Sequence, residues 1–126
     1  MTAVQHPSYQ SYQPHGLHVL ADLFDVAAER LSSAETVDHL LRRAAEAADA
    51  TILHAHFHAF GPGQGITGVL LLAESHISIH TWPESGFAAV DIFMCGNAAP
   101  QKALDVIVAA LQPARTATQT VARGEA

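Results

Sequence analysis

Apolar and polar positions change period several times along the chain, and each change marks an element. After Gly16, residues 17–26 set apolar side chains against Asp22 and Asp25 in a pattern that predicts a short strand. Ser32 followed by Glu35 has the spacing of a capping box, and Val37, Leu40, Leu41, Ala44 and Ala48 then recur at helical spacing up to Asp49, which predicts an amphipathic helix. From Thr51 to Phe60 the period becomes two, with Leu53, Phe57 and Ala59 on one side and Ile52, His54, His56, His58 and Phe60 on the other, as in a strand. The Gly-Pro-Gly-Gln-Gly run at 61–65 is a turn signal, and the unbroken apolar run from Val69 to Ala73 reads as a central strand covered on both faces. Residues 76–82 alternate Ile77, Ile79 and Thr81 against His76, Ser78, His80 and Trp82; Pro83 interrupts, and a further strand is expected over 87–94. Leu104, Ile107, Val108 and Leu111 share one face of a second helix over 101–111, which Pro113 ends.

Residues 1–15, rich in Gln, Ser, Tyr, Pro and His without an apolar period, are expected to form a mobile arm, and residues 114–126 a polar, weakly patterned tail. Between them, residues 16–113 describe one α+β domain, an antiparallel sheet with two helices on one face. So short a chain has no helix left for the other sheet face. Packing sheet against sheet in a two-fold homodimer is the economical cover.

A chain of 126 residues that is 49% hydrophobic and 14% charged buries a core without staples, and Cys95, its only cysteine, excludes an intrachain disulfide. A reducing, cytoplasmic setting follows as the expectation. The formal net charge of -6, with six scattered basic residues, argues against nucleic acid or an anionic membrane surface as partner. The N-terminus has neither a basic n-region nor an apolar h-region, and no apolar run is long enough to span a bilayer.

Chemistry concentrates in residues 72–84, Leu-Ala-Glu-Ser-His-Ile-Ser-Ile-His-Thr-Trp-Pro-Glu, where Glu74, Ser75, His76, His80 and Glu84 load a strand expected to be buried. Unpaired, each buried polar group costs roughly 1–3 kcal/mol, so this density implies a satisfied network or a site. Taken singly, His80 reads as a hydrogen-bonded core histidine, Cys95 as a small buried hydrophobe, Phe60 as core, Thr67 as a strand threonine and Glu84 as solvated surface. His54, His56 and His58 allow a different class of function, a metal-binding module. Alternate strand residues stand roughly 6.5–7 Å apart, however, so all three cannot ligate one ion without help from another strand.

The segment AESHISIHTWPE, followed by a strand ending Cys95-Gly96, resembles the fingerprint of the prokaryotic pyruvoyl-dependent S-adenosylmethionine decarboxylases. Gly16-Leu-His18 through Asp25, Ala50-Thr-Ile, Phe57-His-Ala-Phe60, Gly65-Ile-Thr-Gly68 and Ala88 through Gly96 are similar to further segments of that family, so that most of the chain is covered. The resemblance implies a proenzyme. Ser75 attacks the carbonyl of Glu74, the amide becomes an ester, and elimination and hydrolysis divide the chain into residues 1–74 and 75–126, the second beginning with a pyruvoyl group made from Ser75. No external cofactor is needed, and no metal is expected at the site. The ketone forms a Schiff base with an amino-acid-type substrate and acts as electron sink when CO2 leaves.

The resemblance also assigns roles. His80 is the acid–base group of self-processing, assisted by Thr67; Cys95 protonates the decarboxylated carbon; Phe60 stacks on adenine; and Glu84 accepts hydrogen bonds from ribose hydroxyls. Two positions depart from the family pattern, Leu17 where a basic residue is common and Val26 where a cysteine is common. They leave ornithine or arginine open as alternative substrates of the same scaffold, with Asp22, Asp25 or Glu84 meeting a second amine, while Phe60 and Glu84 favour the adenosyl substrate.

Overall fold

The computed structural model describes residues 14–124, so the expected N-terminal arm lies outside them except for Pro14 and His15. Six strands form one antiparallel sheet in the order β2-β3-β4-β5-β1-β6: β1 (His15–Phe24), β2 (Ile52–Ala59), β3 (Ile66–Leu72), β4 (Ser75–Trp82), β5 (Phe87–Cys95) and β6 (Arg115–Gly124). Helices α1 (Ala34–Ala47) and α2 (Pro100–Leu111) pack on one face and against each other. The expected α+β architecture is therefore present.

The core lies between that face and the helices. Ile77 and Ile79 of β4, Val90 and Ile92 of β5 and Leu70 of β3 meet Val37, Leu41 and Ile107 from the helices, all at most 1% exposed. Burial of such side chains, roughly 1.5–3 kcal/mol each, fixes which face of every strand looks inward. Helix α1 is capped by Ser33, whose Oγ accepts from Thr36 N at 3.2 Å; the expected cap, Ser32, instead donates its hydroxyl to Ala28 O at 3.1 Å. One residue of phase separates the two because a 3-10 turn over Ala28–Arg30 precedes the helix. Helix α2 starts with Pro100, where no N–H is required, and stops at Gln112 in the left-handed conformation just before Pro113.

Three further expectations change. Strand β3 is buried on one face only: Leu71 is 46% exposed, while Leu70 and Leu72 face the core. In β2 the pairing with β3 shifts between Ile52 and His54, a bulge that leaves Leu53 outward and puts Ile52 on the same side as Ala55 and Phe57. Residues 115–124, expected as part of a tail, form β6 at the sheet edge, paired with the full length of β1. Its side chains are almost all exposed, so no apolar alternation announces it.

Among the described residues no helix packs on the second face of the sheet. Leu20, Leu71, Trp82 and Phe60 stand on it 37–62% exposed, together with most of the polar residues singled out above.

Candidate active site

Strands β3 and β4 are joined by a two-residue turn, Ala73-Glu74, because Leu72 pairs directly with Ser75. The turn is held from both sides: Ala73 N donates to Thr51 O at 2.9 Å, and Thr51 N donates to Glu74 Oε1 at 2.9 Å, leaving Glu74 5% exposed. The backbone carbonyl of Glu74 accepts the Cys95 N–H at 3.0 Å. Ser75 has φ 145, a region essentially reserved for glycine, which stores on the order of 1–3 kcal/mol at the Glu74–Ser75 junction. A serine hydroxyl thus follows, at a strained residue, a carbonyl already polarised by a fixed N–H donor. That is the arrangement in which charge developing on the carbonyl oxygen would be stabilised without reorganisation.

Around Ser75 the open face is polar. Its Oγ lies 3.2 Å from Nδ1 of His76, and the His76 ring meets His18 edge-on with centroids 6.2 Å apart. His18 Nε2 is 3.0 Å from Asp91 Oδ1, and Arg123 contacts His18 Nδ1 at 3.5 Å. Burial first, then His18, pushes the His76 imidazole below its ordinary pKa; Asp91 pulls the other way and Arg123 adds to the lowering.

At the other end of β4 a second group assembles. The register sets Thr67 opposite His80, with Thr67 Oγ1 at 3.1 Å from His80 Nδ1. Both line a groove of about 300 Å³ with Phe60, Gln64, Trp82 and Glu84. Gly65 makes this wall possible: a Cβ there would stand 2.2 Å from Thr81 O. Beneath it Thr81 Oγ1 donates to Leu31 O at 2.7 Å and accepts from Ile66 N at 2.9 Å, tying the start of β3 to β4. The exposed Trp82 ring stands beside the His80 imidazole, the exposed Phe60 ring packs edge-on against His58 along the same groove, and Glu84 follows on a 3-10 turn over Pro83–Ser85.

The residues expected to act together therefore fall into two groups within one chain. Glu74, Ser75 and Cys95 meet at one end of β4, while Thr67, His80, Phe60 and Glu84 meet at the other, roughly 16 Å away by strand rise. His18, Asp91 and Arg123, on β1, β5 and β6, are absent from the sequence expectations for the site; only the strand pairing brings them around His76. His54, His56 and His58 stand exposed on the edge strand β2, and among the described residues no three metal-ligating side chains converge on a point.

A sequence model of S-adenosylmethionine decarboxylase matches residues 17–124. The chain belongs to this family. Among its relatives, the S-adenosylmethionine decarboxylase proenzyme of Sulfurihydrogenibium sp. (strain YO3AOP1) is 47% identical over 110 residues, covering 86% of this chain and 82% of that protein. The corresponding proenzyme of Methanococcus aeolicus is 43% identical over 110 residues, covering 86% and 93%. The crystal structure of the adenosylmethionine decarboxylase from Aquifex aeolicus superposes with a TM-score of 0.83 at 43% identity, over 90% of this chain and 94% of that one. The fold of that decarboxylase is thus shared over most of the chain.

Proposed function

We propose that this chain is the proenzyme of a pyruvoyl-dependent S-adenosylmethionine decarboxylase that cleaves itself between Glu74 and Ser75. The observation that carries the reading is the turn itself, with the Glu74 carbonyl on the Cys95 N–H at 3.0 Å and the next residue, a serine, at φ 145. Attack of the Ser75 hydroxyl on that carbonyl relieves backbone strain as it proceeds. The Cys95 N–H accompanies the oxygen from carbonyl to oxyanion. These residues fit the formation of a pyruvoyl group at position 75, which supplies an electron sink for the charge left when CO2 departs.

The chain's own residues do the rest. Cys95, half-buried beside Ser75, is the thiol that delivers a proton to the decarboxylated carbon. His80, oriented by Thr67, serves as acid–base group in processing. The groove between Phe60, Trp82 and Glu84 suits a flat, π-faced substrate with hydroxyls, ring against ring and carboxylate against diol, better than a dibasic amino acid.

Two half-sites on one uncovered sheet face are the reason for a homodimer. A two-fold axis that lays the open faces together, with their β4 strands running in opposite senses, brings the Ser75 end of one protomer towards the His80 end of its partner. It also buries Leu20, Leu71 and Trp82, which a lone protomer leaves in water.

Intact mass spectrometry of the wild type and of Ser75→Ala tests the cleavage: two fragments, the second blocked by pyruvoyl, against one uncut chain. An active wild type that remains one polypeptide would sink the proposal. Release of CO2 from S-adenosylmethionine but not from ornithine or arginine tests the substrate, and the reverse preference would overturn it.

A further inference from the structure

Building on the proposed self-cleavage, we infer that His76 is the catalytic residue that accepts the proton of the Ser75 hydroxyl in the first step, leaving His80 for later acid–base steps. Geometry separates the two histidines. His76 Nδ1 is 3.2 Å from Ser75 Oγ in the same chain, whereas that chain's own His80 lies roughly 16 Å along the strand, and the His80 of a partner subunit comes near Ser75 only in the proposed dimer. A general base must stand within hydrogen-bond reach of the proton it takes, directly or through one water.

The surrounding groups prepare the ring for that role. Arg123 offers only donors, so the nitrogen of His18 that it meets, Nδ1, is an acceptor, and His18 Nε2–H donates to Asp91 Oδ1. His18, fixed in this way from β5 and β6, presents its ring to the edge of His76, and Phe93 of β5 packs against both imidazoles. Leu71 of β3 flanks His76 from the other side, with His54 of β2 one strand beyond. Burial, His18 and Arg123 disfavour a proton on His76 more than Asp91 favours it. A neutral imidazole facing a hydroxyl through Nδ1 accepts from it.

In the step itself the Ser75 proton passes to His76 Nδ1 while Oγ bonds to the Glu74 carbonyl carbon and the π pair moves to the oxygen held by Cys95 N–H. Collapse breaks the C–N bond, and the proton on His76 passes to the departing amine nitrogen. The result is an ester and an amine, isomeric with the starting peptide, so no co-reactant is required.

The test follows cleavage of freshly translated full-length chain by gel and intact mass. His76→Ala should slow the appearance of fragments by about 100-fold or more, and added imidazole should restore part of the rate. In the wild type the rate should fall only below the ordinary imidazole range, where His76 becomes protonated; in His76→Ala that acid limb should disappear. Cleavage of His76→Ala at the wild-type rate would overturn the role of His76 while leaving self-cleavage intact. Slowing with no imidazole rescue and an unchanged acid limb would also overturn it, since a structural role alone would have that signature. A wild type that never separates at Glu74–Ser75 would instead remove the proposed function on which the inference rests.

Discussion

Replacing Thr81 by Val tests how β3 and β4 are held in register beneath the groove. Thr81 is 5% exposed, and its hydroxyl makes two bonds to main-chain groups distant in sequence, donating to Leu31 O at 2.7 Å and accepting from Ile66 N at 2.9 Å. Valine keeps the shape and removes both. Each buried backbone group left without a partner costs about 1–3 kcal/mol, so the pair should cost about 2–6 kcal/mol. The measurement belongs in the Ser75→Ala background, at one fixed protein concentration, because a cut chain or a shifting dimer has no single unfolding equilibrium. With a urea dependence of about 2 kcal/mol per molar, the middle of the usual range, a loss of about 4 kcal/mol should lower the midpoint by about 2 M. Thr81→Ser, which keeps the hydroxyl, should lose much less. A loss below about 0.5 kcal/mol for Thr81→Val would mean that Ile66 N–H and Leu31 C=O find other partners, and the strap would be no strap.

Cys95→Ala keeps the backbone N–H that holds the Glu74 carbonyl but removes the thiol, so it should still yield two fragments yet turn over poorly; undiminished CO2 release would take the thiol out of the reaction. Gly68→Ala places a Cβ 2.1 Å from the Phe57 ring, an overpacking expected to cost about 1–3 kcal/mol, readable in a thermal melt; an unchanged melting temperature would mean that the ring swings aside freely. Leu71→Asp puts a charge on the open face and should convert the proposed dimer to monomer in sedimentation, with loss of turnover; a fully active monomer would refute the paired half-sites.

Where burial alternates, the sequence announces its strands. Ile77, Ile79 and Thr81 against His76, Ser78 and His80 specify β4 and both of its faces, and the helical spacing of Val37, Leu40, Leu41 and Ala44 specifies α1. The fingerprint at residues 73–84 carries the resemblance from which the Glu74–Ser75 bond is proposed as the reactive one; the same residues taken singly read as structural. β6 escaped because an edge strand with solvent on nearly every side chain carries no period; its alternating Thr116, Thr118 and Thr120 were the one available signal. The bulge in β2 escaped because one inserted residue erases the phase that alternation depends on, so Ile52 was assigned to the wrong side. The cluster of His18, Asp91 and Arg123 depends on which strands neighbour β5, a long-range fact that no local pattern in this chain encodes.

The strand order has a consequence for a chain cut at the proposed bond. A break at Glu74–Ser75 leaves β1, β2 and β3 on one fragment and β4, β5 and β6 on the other, yet in the sheet β1 is threaded between β5 and β6. The two pieces are dovetailed along the β3–β4, β5–β1 and β1–β6 seams rather than laid side by side. Severing the peptide at the proposed bond would therefore free the start of β4 while all three seams still join the fragments. Once pulled apart, the halves must find each other by collision and interleave again, so the molecule is built to be assembled once.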